Sequence, residues 1–359
     1  MLLSTAPLMS ADLSKRKQDH LALCATDAVS FRNQGTLFDC VKFVHDSLPE
    51  LSLDEIDLGT TVLGKKLRAP IFIAAMTGGT AEAREVNRAL AAIAEARGYG
   101  FGLGSQRAMH RDASKQSTYE VRDVAPAALV LGNIGVVQAS SMSTNEVRAM
   151  CDASGVDALC IHMNPAMEVV QPGGDRDFRG GVATFERLVA ELGRPIVAKE
   201  TGCGISRALG TRLFAVGVRH VDVSGAGGTS WVGVEALRAD TETTRSVGEL
   251  LWDWGIPTAA SVGLVAPLGF ETVIATGGIK TGLDVAKAIA LGAHAAGIAR
   301  PVLMAFREGG EKRATEFLDG IEHALRAVLL LTGCRSLGDL RRAPKLVVGE
   351  LEKWLSASV

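Results

Sequence analysis

The sequence has no run of about 18 uninterrupted apolar residues, and its opening stretch, MLLSTAPLMSADLSKRKQDH, has no basic region ahead of a long apolar segment. These absences argue against a membrane span and a secretory leader, so the expected location is the cytoplasm. Excess charge of either sign is also missing: 38 Lys and Arg face 40 Asp and Glu. With a formal net charge of -2, no global field favours nucleic acid or an anionic membrane, and an anionic ligand must be held by local groups. The six cysteines, Cys24, Cys40, Cys151, Cys160, Cys203 and Cys334, form no CxxC pair and no zinc spacing. They read as reduced thiols, with Cys160 and Cys203 as small core or loop residues. No internal repeat beyond a β/α unit and no low-complexity linker interrupts the 359 residues. The chain is therefore treated as one unit, an N-terminal extension over 1–69 packing on a barrel over 70–359.

What is present is alternation. From residue 70 onward, short apolar runs are followed by helical patterns. The runs are Pro70 to Met76, Tyr99 to Leu103, Ala128 to Asn133, Asp157 to His162, Pro195 to Lys199, His220 to Val223, Thr272 to Ala275 and Ala295 to Ala299. Between them lie stretches such as Ala81 to Gly98, with Val86, Leu90, Ile93 and Ala94 at helical spacing and a closing glycine, and Thr281 to Ala293. Eight successive β/α units specify an α/β fold, a closed (β/α)8 TIM barrel, with a doubly wound sheet as the alternative. Gly225 to Glu271 is long for one crossover and is expected to hold a loop over the site and then two helical pieces. Glu311 to Leu331 reads as a C-terminal helix.

In such a barrel the active site lies at the carboxyl ends of the strands. Those ends read MTGG (Met76 to Gly79), GSQR (Gly104 to Arg107), GNIG (Gly132 to Gly135), HMN (His162 to Asn164), KETGCG (Lys199 to Gly204), SGAGGTSW (Ser224 to Trp231) and TGGIKTG (Thr276 to Gly282). Glycine turns let backbone N–H groups approach an anion, and a helix amino terminus behind the turn adds a favourable dipole. TGGIKTG with Gly297 to Arg300 fits the phosphate grip that barrels place after strands seven and eight. Lys199 ends an apolar run, where its ammonium would either enter the barrel mouth beside a flavin or form a Schiff base, or simply pair with an acid such as Glu200. Asn133 would hydrogen-bond the same ring. His162 and Asn164 share one side of their strand. Glu168 is a hard oxygen ligand suited to Mg2+, which takes few carboxylates and leaves other positions to water and phosphates. Arg107, the cluster Lys15, Arg16 and Lys17, and His20 are donors for phosphate oxygens.

Taken in order, RKQDHL (Arg16 to Leu21), MTGG, GSQR, GNIG, HxN with Glu168 and Gln171-Pro172, KETGCG, DVSGAGGTSW and ATGGIKTG resemble the type 2 isopentenyl-diphosphate isomerases, over roughly residues 14 to 355. The resemblance implies FMN, kept reduced by NADPH, and Mg2+ to help hold a diphosphate. It implies a 1,3-proton shift that converts isopentenyl diphosphate to dimethylallyl diphosphate, in a homo-oligomer, commonly a tetramer or octamer. By motif position, Met76, Thr77, Gly78, Asn133, Lys199, Ser224, Thr229, Gly277, Gly278, Lys280, Ala299 and Arg300 would bind FMN. Arg16, Lys17, Ser105, Arg107, His162, Asn164 and Gln171 would meet the diphosphate, with Arg16 and Lys17 reaching in from a neighbouring subunit, and Glu168 would serve the metal.

The catalytic positions would be Lys199, His162 and Met167. At the last of these the chain departs from the pattern HLNxxQExxQPEGD, reading HMNPAMEVVQPGGD: Met167 replaces a glutamine and Gly173 a glutamate. A thioether is a poor acceptor and no donor. Two further readings therefore stand beside the isomerase: a paralogue acting on another prenyl diphosphate, and a flavoprotein that binds a prenyl diphosphate without turning it over. A 2-hydroxy acid oxidase is disfavoured, because no strand-end His-Gly-Gly-Arg arrangement is present.

Overall fold

Parallel strands covered on both faces need apolar side chains on both, and all eight runs become strands. A computed structural model of the protein describes residues 19–357. The strands are β1 (Ile71–Ile73), β2 (Gly100–Gly102), β3 (Leu129–Gly135), β4 (Ala158–Met163), β5 (Ile196–Glu200), β6 (His220–Asp222), β7 (Thr272–Thr276) and β8 (Ala295–Ile298). They close in sequence order, β8 pairing in parallel with β1 through Ala296 to Ile71. The expected (β/α)8 barrel is what forms.

Residues of alternate parity divide between two cores. Phe72, Leu129, Leu131, Ala158, Cys160, Val197, Ile274 and Ala295 fill the barrel interior, while Ile71, Phe101, Val130, Ile161, Ala198 and Val273 meet the surrounding helices. Interior volume is limited: a side chain at Gly100 would run into the Phe72 ring. The amino-terminal end is closed by an antiparallel hairpin, Thr60–Val62 with Lys65–Leu67, whose Val62 and Leu67 join the interior cluster. Its turn, Leu63 and Gly64, has positive φ at both positions (51° and 78°), a conformation that suits a two-residue hairpin. With that end plugged, the carboxyl end is the open one.

The outer elements follow their sequence signals. The helix Ala81–Arg97 begins at the Thr80 cap and ends at Gly98, which adopts φ 64°. The long C-terminal helix, Arg300–Leu331, is broken at Gly309 and Gly310, and its second half is the expected Glu311 to Leu331 segment. Residues 41–43 of the extension pair with 345–347 near the C-terminus. The expectation of two helical pieces between Gly225 and Glu271 needs correction: three α-helices lie there, Trp231–Leu237, Glu242–Leu250 and Thr258–Val265, followed by a 3-10 turn, Ala266–Leu268.

Candidate active site

Strand register builds the floor of the open end. His162 on β4 is level with Lys199 on β5, and Lys199 with Asp222 on β6. Their parity points all three inward with Asn133 and Thr276. Lys199 Nζ donates to Asp222 Oδ2 at 2.7 Å, and both side chains are under a tenth exposed. Glu200 is thus not the lysine's partner. Its Oε2 instead accepts backbone N–H groups of Thr201, Gly202 and Cys203 at 2.5–2.6 Å, fixing the KETGCG loop. Burial pushes the Glu200 carboxyl up to about 7 against the pull of those three donors and of Lys199. Asp222 Oδ1 accepts the Ser224 N–H at 3.2 Å, and Ser224 itself holds a positive φ of 38°, strained for a residue with a side chain.

The fourth β/α loop supplies a second wall. His162 Nδ1 donates to Asn133 Oδ1 at 2.7 Å, which assigns the ring proton to Nδ1 and leaves Nε2 as an acceptor. Burial, then the charges of Lys199 and Arg107, push the imidazole down to about 4, so the ring is neutral in the ligand-free protein. Glu168 is buried, and Asn164 Nδ2 donates to its Oε1 at 2.8 Å. Gln171 Nε2 and the Asp175 N–H donate to Oε2 at 3.1 and 2.7 Å. Those amides are what support this carboxylate. Gly173 does not take part: at φ 64° its Cβ would meet nothing within 4 Å, so a longer side chain there would leave toward open space. Gly174 is the sterically fixed position, because a Cβ would collide with the Glu168 carbonyl oxygen. Met167 faces the cavity with its sulfur 3.8 Å from Asn164 Nδ2.

On the far side, the glycine turns after β6 and β7 pack backbone against backbone. A Cβ at Gly228 would strike Gly278 N, and one at Gly225 would strike the Thr258 backbone. The Gly225 N–H donates to the Thr276 carbonyl at 2.9 Å. Thr276 Oγ1 is buried at the cavity wall with no partner among the described residues, which marks a ligand-facing hydroxyl. The helix Gly282–Ala290 behind TGGIKTG spends its amino terminus on its own capping box, Thr281 with Asp284. An anion on this side would therefore be met by the turns and by Ala299 and Arg300 rather than by that helix end. Arg300 also reaches Ser30 Oγ at 2.9 Å, tying the N-terminal segment across the mouth.

That segment forms a roof. His20, Leu21 and Cys24, in a short helix over 19–24, line the cavity with Trp231. His20 Nε2 bonds the fully buried Glu235 at 2.7 Å and stacks edge-on against Trp231.

One cavity gathers the expected residues: Met76, Thr77, Gly78, Ser105, Arg107, Asn133, His162, Asn164, Met167, Glu168, Gln171, Lys199, Ser224, Thr229, Gly277, Gly278, Lys280, Ala299 and Arg300 all line it. Arg16 and Lys17 lie outside the described residues. Among the described residues, Glu168 is the only carboxylate of the lining, and no cluster of three His, Cys, Asp or Glu would hold a metal unaided. Asp222 and Glu235, the buried partners of Lys199 and His20, were missed. The signal for Asp222 lay in DVSGAGGTSW, one residue beyond Val221, which faces the helices, so that the aspartate faces inward.

Fold and site together define a flavin-type barrel enzyme, and the comparisons agree. Residues 9–243 and 186–346 match the family described as FMN-dependent dehydrogenase. Proteins named isopentenyl-diphosphate delta-isomerase are similar over nearly the whole length. That of Methanosarcina barkeri is 43% identical over 97% of this chain and 95% of its own. That of Methanothermobacter thermautotrophicus is 43% identical over 96% of each, and that of a Nostoc species 41% over 94% and 97%. Among solved structures, a mandelate oxidase superposes with a TM-score of 0.66 at 21% identity, covering 95% of this chain and 99% of that one. A lactate oxidase of Pediococcus acidilactici gives 0.65 at 16%, covering 95% and 94%. Those two share the fold. The chain belongs to the isopentenyl-diphosphate delta-isomerase family, within the FMN-dependent dehydrogenases.

Proposed function

We propose that the protein is an FMN-dependent isomerase that converts isopentenyl diphosphate to dimethylallyl diphosphate, with Mg2+ bound together with the diphosphate and NADPH as the reductant. The observation that carries this reading is the division of one cavity between two kinds of wall. Arg107, His162, Asn164 and Glu168 come from the β2 and β4 ends, while the glycine turns, the Thr276 hydroxyl, unpartnered among the described residues, and Lys199 come from the β5 to β7 ends. The wall of glycine turns suits FMN: Thr276, Gly277, Gly278, Ala299 and Arg300 would hold it, and Lys199, paired with Asp222, would face it. Bound and reduced, FMN would supply an electron-rich ring for the proton shift.

The protein's own groups bind and orient. Arg107 offers fork-shaped donors to phosphate oxygens. His162 presents an unprotonated Nε2; a nearby dianion would raise the ring's affinity for a proton from solvent and so turn a neutral ring into a charged donor. Glu168 offers the lone-pair capacity left by three amide donors to a Mg2+ ion whose other ligands are phosphate oxygens and water. Leu21, Met76, Met167, Trp231 and Leu303 give the hydrocarbon end a surface poor in water. Position 167 cannot itself carry the proton, since a thioether has none to give. The high identity to isomerases over the full length favours this reading over another prenyl diphosphate. We also assign the chain to a homo-oligomer in the cytoplasm, a setting that suits six unpaired cysteines.

The test is anaerobic turnover of isopentenyl diphosphate in D2O with FMN, Mg2+ and NADPH, followed by NMR. Deuterated dimethylallyl product from the native protein is expected. No product, with product appearing in Met167→Gln combined with Gly173→Glu, would sink the reading in favour of another substrate.

A further inference from the structure

Arg107 opens the short helix Arg107–Arg111 after β2 and faces the cavity. Its buried Nε has no partner among the described residues, and its Nη1 donates to Asp175 Oδ2 at 3.3 Å. The same carboxylate oxygen accepts Gln138 Nε2 at 2.6 Å. The Asp175 backbone N–H, in turn, donates to Glu168 Oε2 at 2.7 Å. One residue on the loop after β4 thus touches groups from three successive β/α units: Arg107 after β2, Gln138 after β3 and Glu168 in its own loop. The Arg111 guanidinium adds to the need for an anion here, because burial and the neighbouring Arg107 charge both disfavour its protonated form, and Asp175 opposes them.

We infer that Asp175 is a positioning residue for the diphosphate: it holds Arg107 by one N–H, leaves the other donors to the ligand, and sets the spacing between Arg107 and Glu168. The inference rests on the cavity being a diphosphate and Mg2+ site. Two effects of the carboxylate oppose each other. As a negative charge near an incoming dianion it repels, but its side chain is about a quarter exposed, so solvent screens that repulsion. As a fixed acceptor it removes the entropy of a long arginine side chain before binding, and hydrogen bonds to charged groups are among the stronger ones. Positioning should therefore win, and the sign of the effect on affinity decides between them.

The experiment uses FMN-loaded protein and inorganic pyrophosphate with Mg2+ as the probe, titrated calorimetrically, alongside steady-state kinetics with isopentenyl diphosphate. Asp175→Asn should weaken pyrophosphate binding about tenfold and raise KM similarly, with kcat changed less than about twofold and FMN affinity unchanged. In an Arg107→Ala background the same substitution should have no further effect, a coupling that general damage to the loop would not produce. Unchanged or tighter pyrophosphate binding in Asp175→Asn, or full additivity with Arg107→Ala, overturns the inference. Failure of the native holoprotein to bind pyrophosphate overturns it together with the reading beneath. Binding without turnover sinks that reading alone, and the affinity of the variant still tests the role of Asp175.

Discussion

The Lys199–Asp222 pair offers the sharpest quantitative test of how this barrel mouth is built. At 2.7 Å and with side chains 7% and 8% exposed, the two charges attract by about 332/(20 × 2.7), or about 6 kcal/mol, at an effective dielectric constant near 20. Desolvation of each ion costs several kcal/mol, so the intact pair contributes little net stability. Removing one partner is a different matter, because the other charge is left buried and uncompensated, at a cost of about 3–5 kcal/mol. Asp222→Asn tests that effect: the amide oxygen still accepts the Ser224 N–H, while the charge and the acceptor facing Lys199 are both lost.

Against a total stability of about 5–15 kcal/mol, such a loss removes about a fifth or more. Urea unfolding of the FMN-free protein, in which no ligand masks the difference, should show a lower midpoint at unchanged slope. Lys199→Met combined with Asp222→Leu should recover most of the loss, since it deletes both charges and keeps apolar volume. A single-variant loss under about 1 kcal/mol, or a double variant less stable than the single, would refute the account of an uncompensated charge.

The barrel was readable because strands buried on both faces leave continuous apolar runs, and the turns that follow them carry Gly, Ser, Thr or Asn. Between residues 225 and 271 two different signals failed. The helix Glu242–Leu250 buries only Gly248, so it has almost no apolar stripe to detect. The helix Thr258–Val265 buries every residue but Gly263, so it has no polar face to set a period against. The plug hairpin was invisible for a related reason, since it buries only Val62 and Leu67 in the interior, with Leu63 packed against them. For the site, motif order brought the lining residues together on the page, but motifs do not reveal who pairs with whom. Lys199 and Asp222 are 23 residues apart and meet only through the β5–β6 register. The role of Gly173 likewise depended on a backbone angle. The support of Glu168 comes from Asn164, Gln171 and the Asp175 N–H, none of which position 173 carries.

Gly174→Ala should destabilise the protein and weaken Mg2+-dependent pyrophosphate binding, because its Cβ would displace the Glu168 backbone. Gly173→Ala, strained only by its positive φ, should cost about 1–2 kcal/mol in urea unfolding and leave binding intact; equal effects of the two would refute the distinction. Mg2+ titrated calorimetrically into the FMN-loaded protein should bind only weakly without pyrophosphate, since Glu168 is the sole carboxylate of the lining among the described residues, and micromolar affinity of the free ion would contradict this. The His162 ring tests the electrostatics of the same wall. Its folded-state value of about 4 lies below the ordinary 6.5, so between pH 6.5 and 4 the unfolded chain binds a proton that the native protein does not, and acidification through that window costs stability. Above pH 6.5 both states are neutral and the group contributes no pH dependence. Native protein should therefore lose more stability than His162→Asn between pH 6.5 and 4.5 in urea unfolding. Added pyrophosphate should raise the His162 midpoint seen by NMR, because a neighbouring dianion stabilises the charged ring. A His162 resonance that titrates near 6.5 in the ligand-free protein would mean that neither burial nor the cations Lys199 and Arg107 govern this side chain.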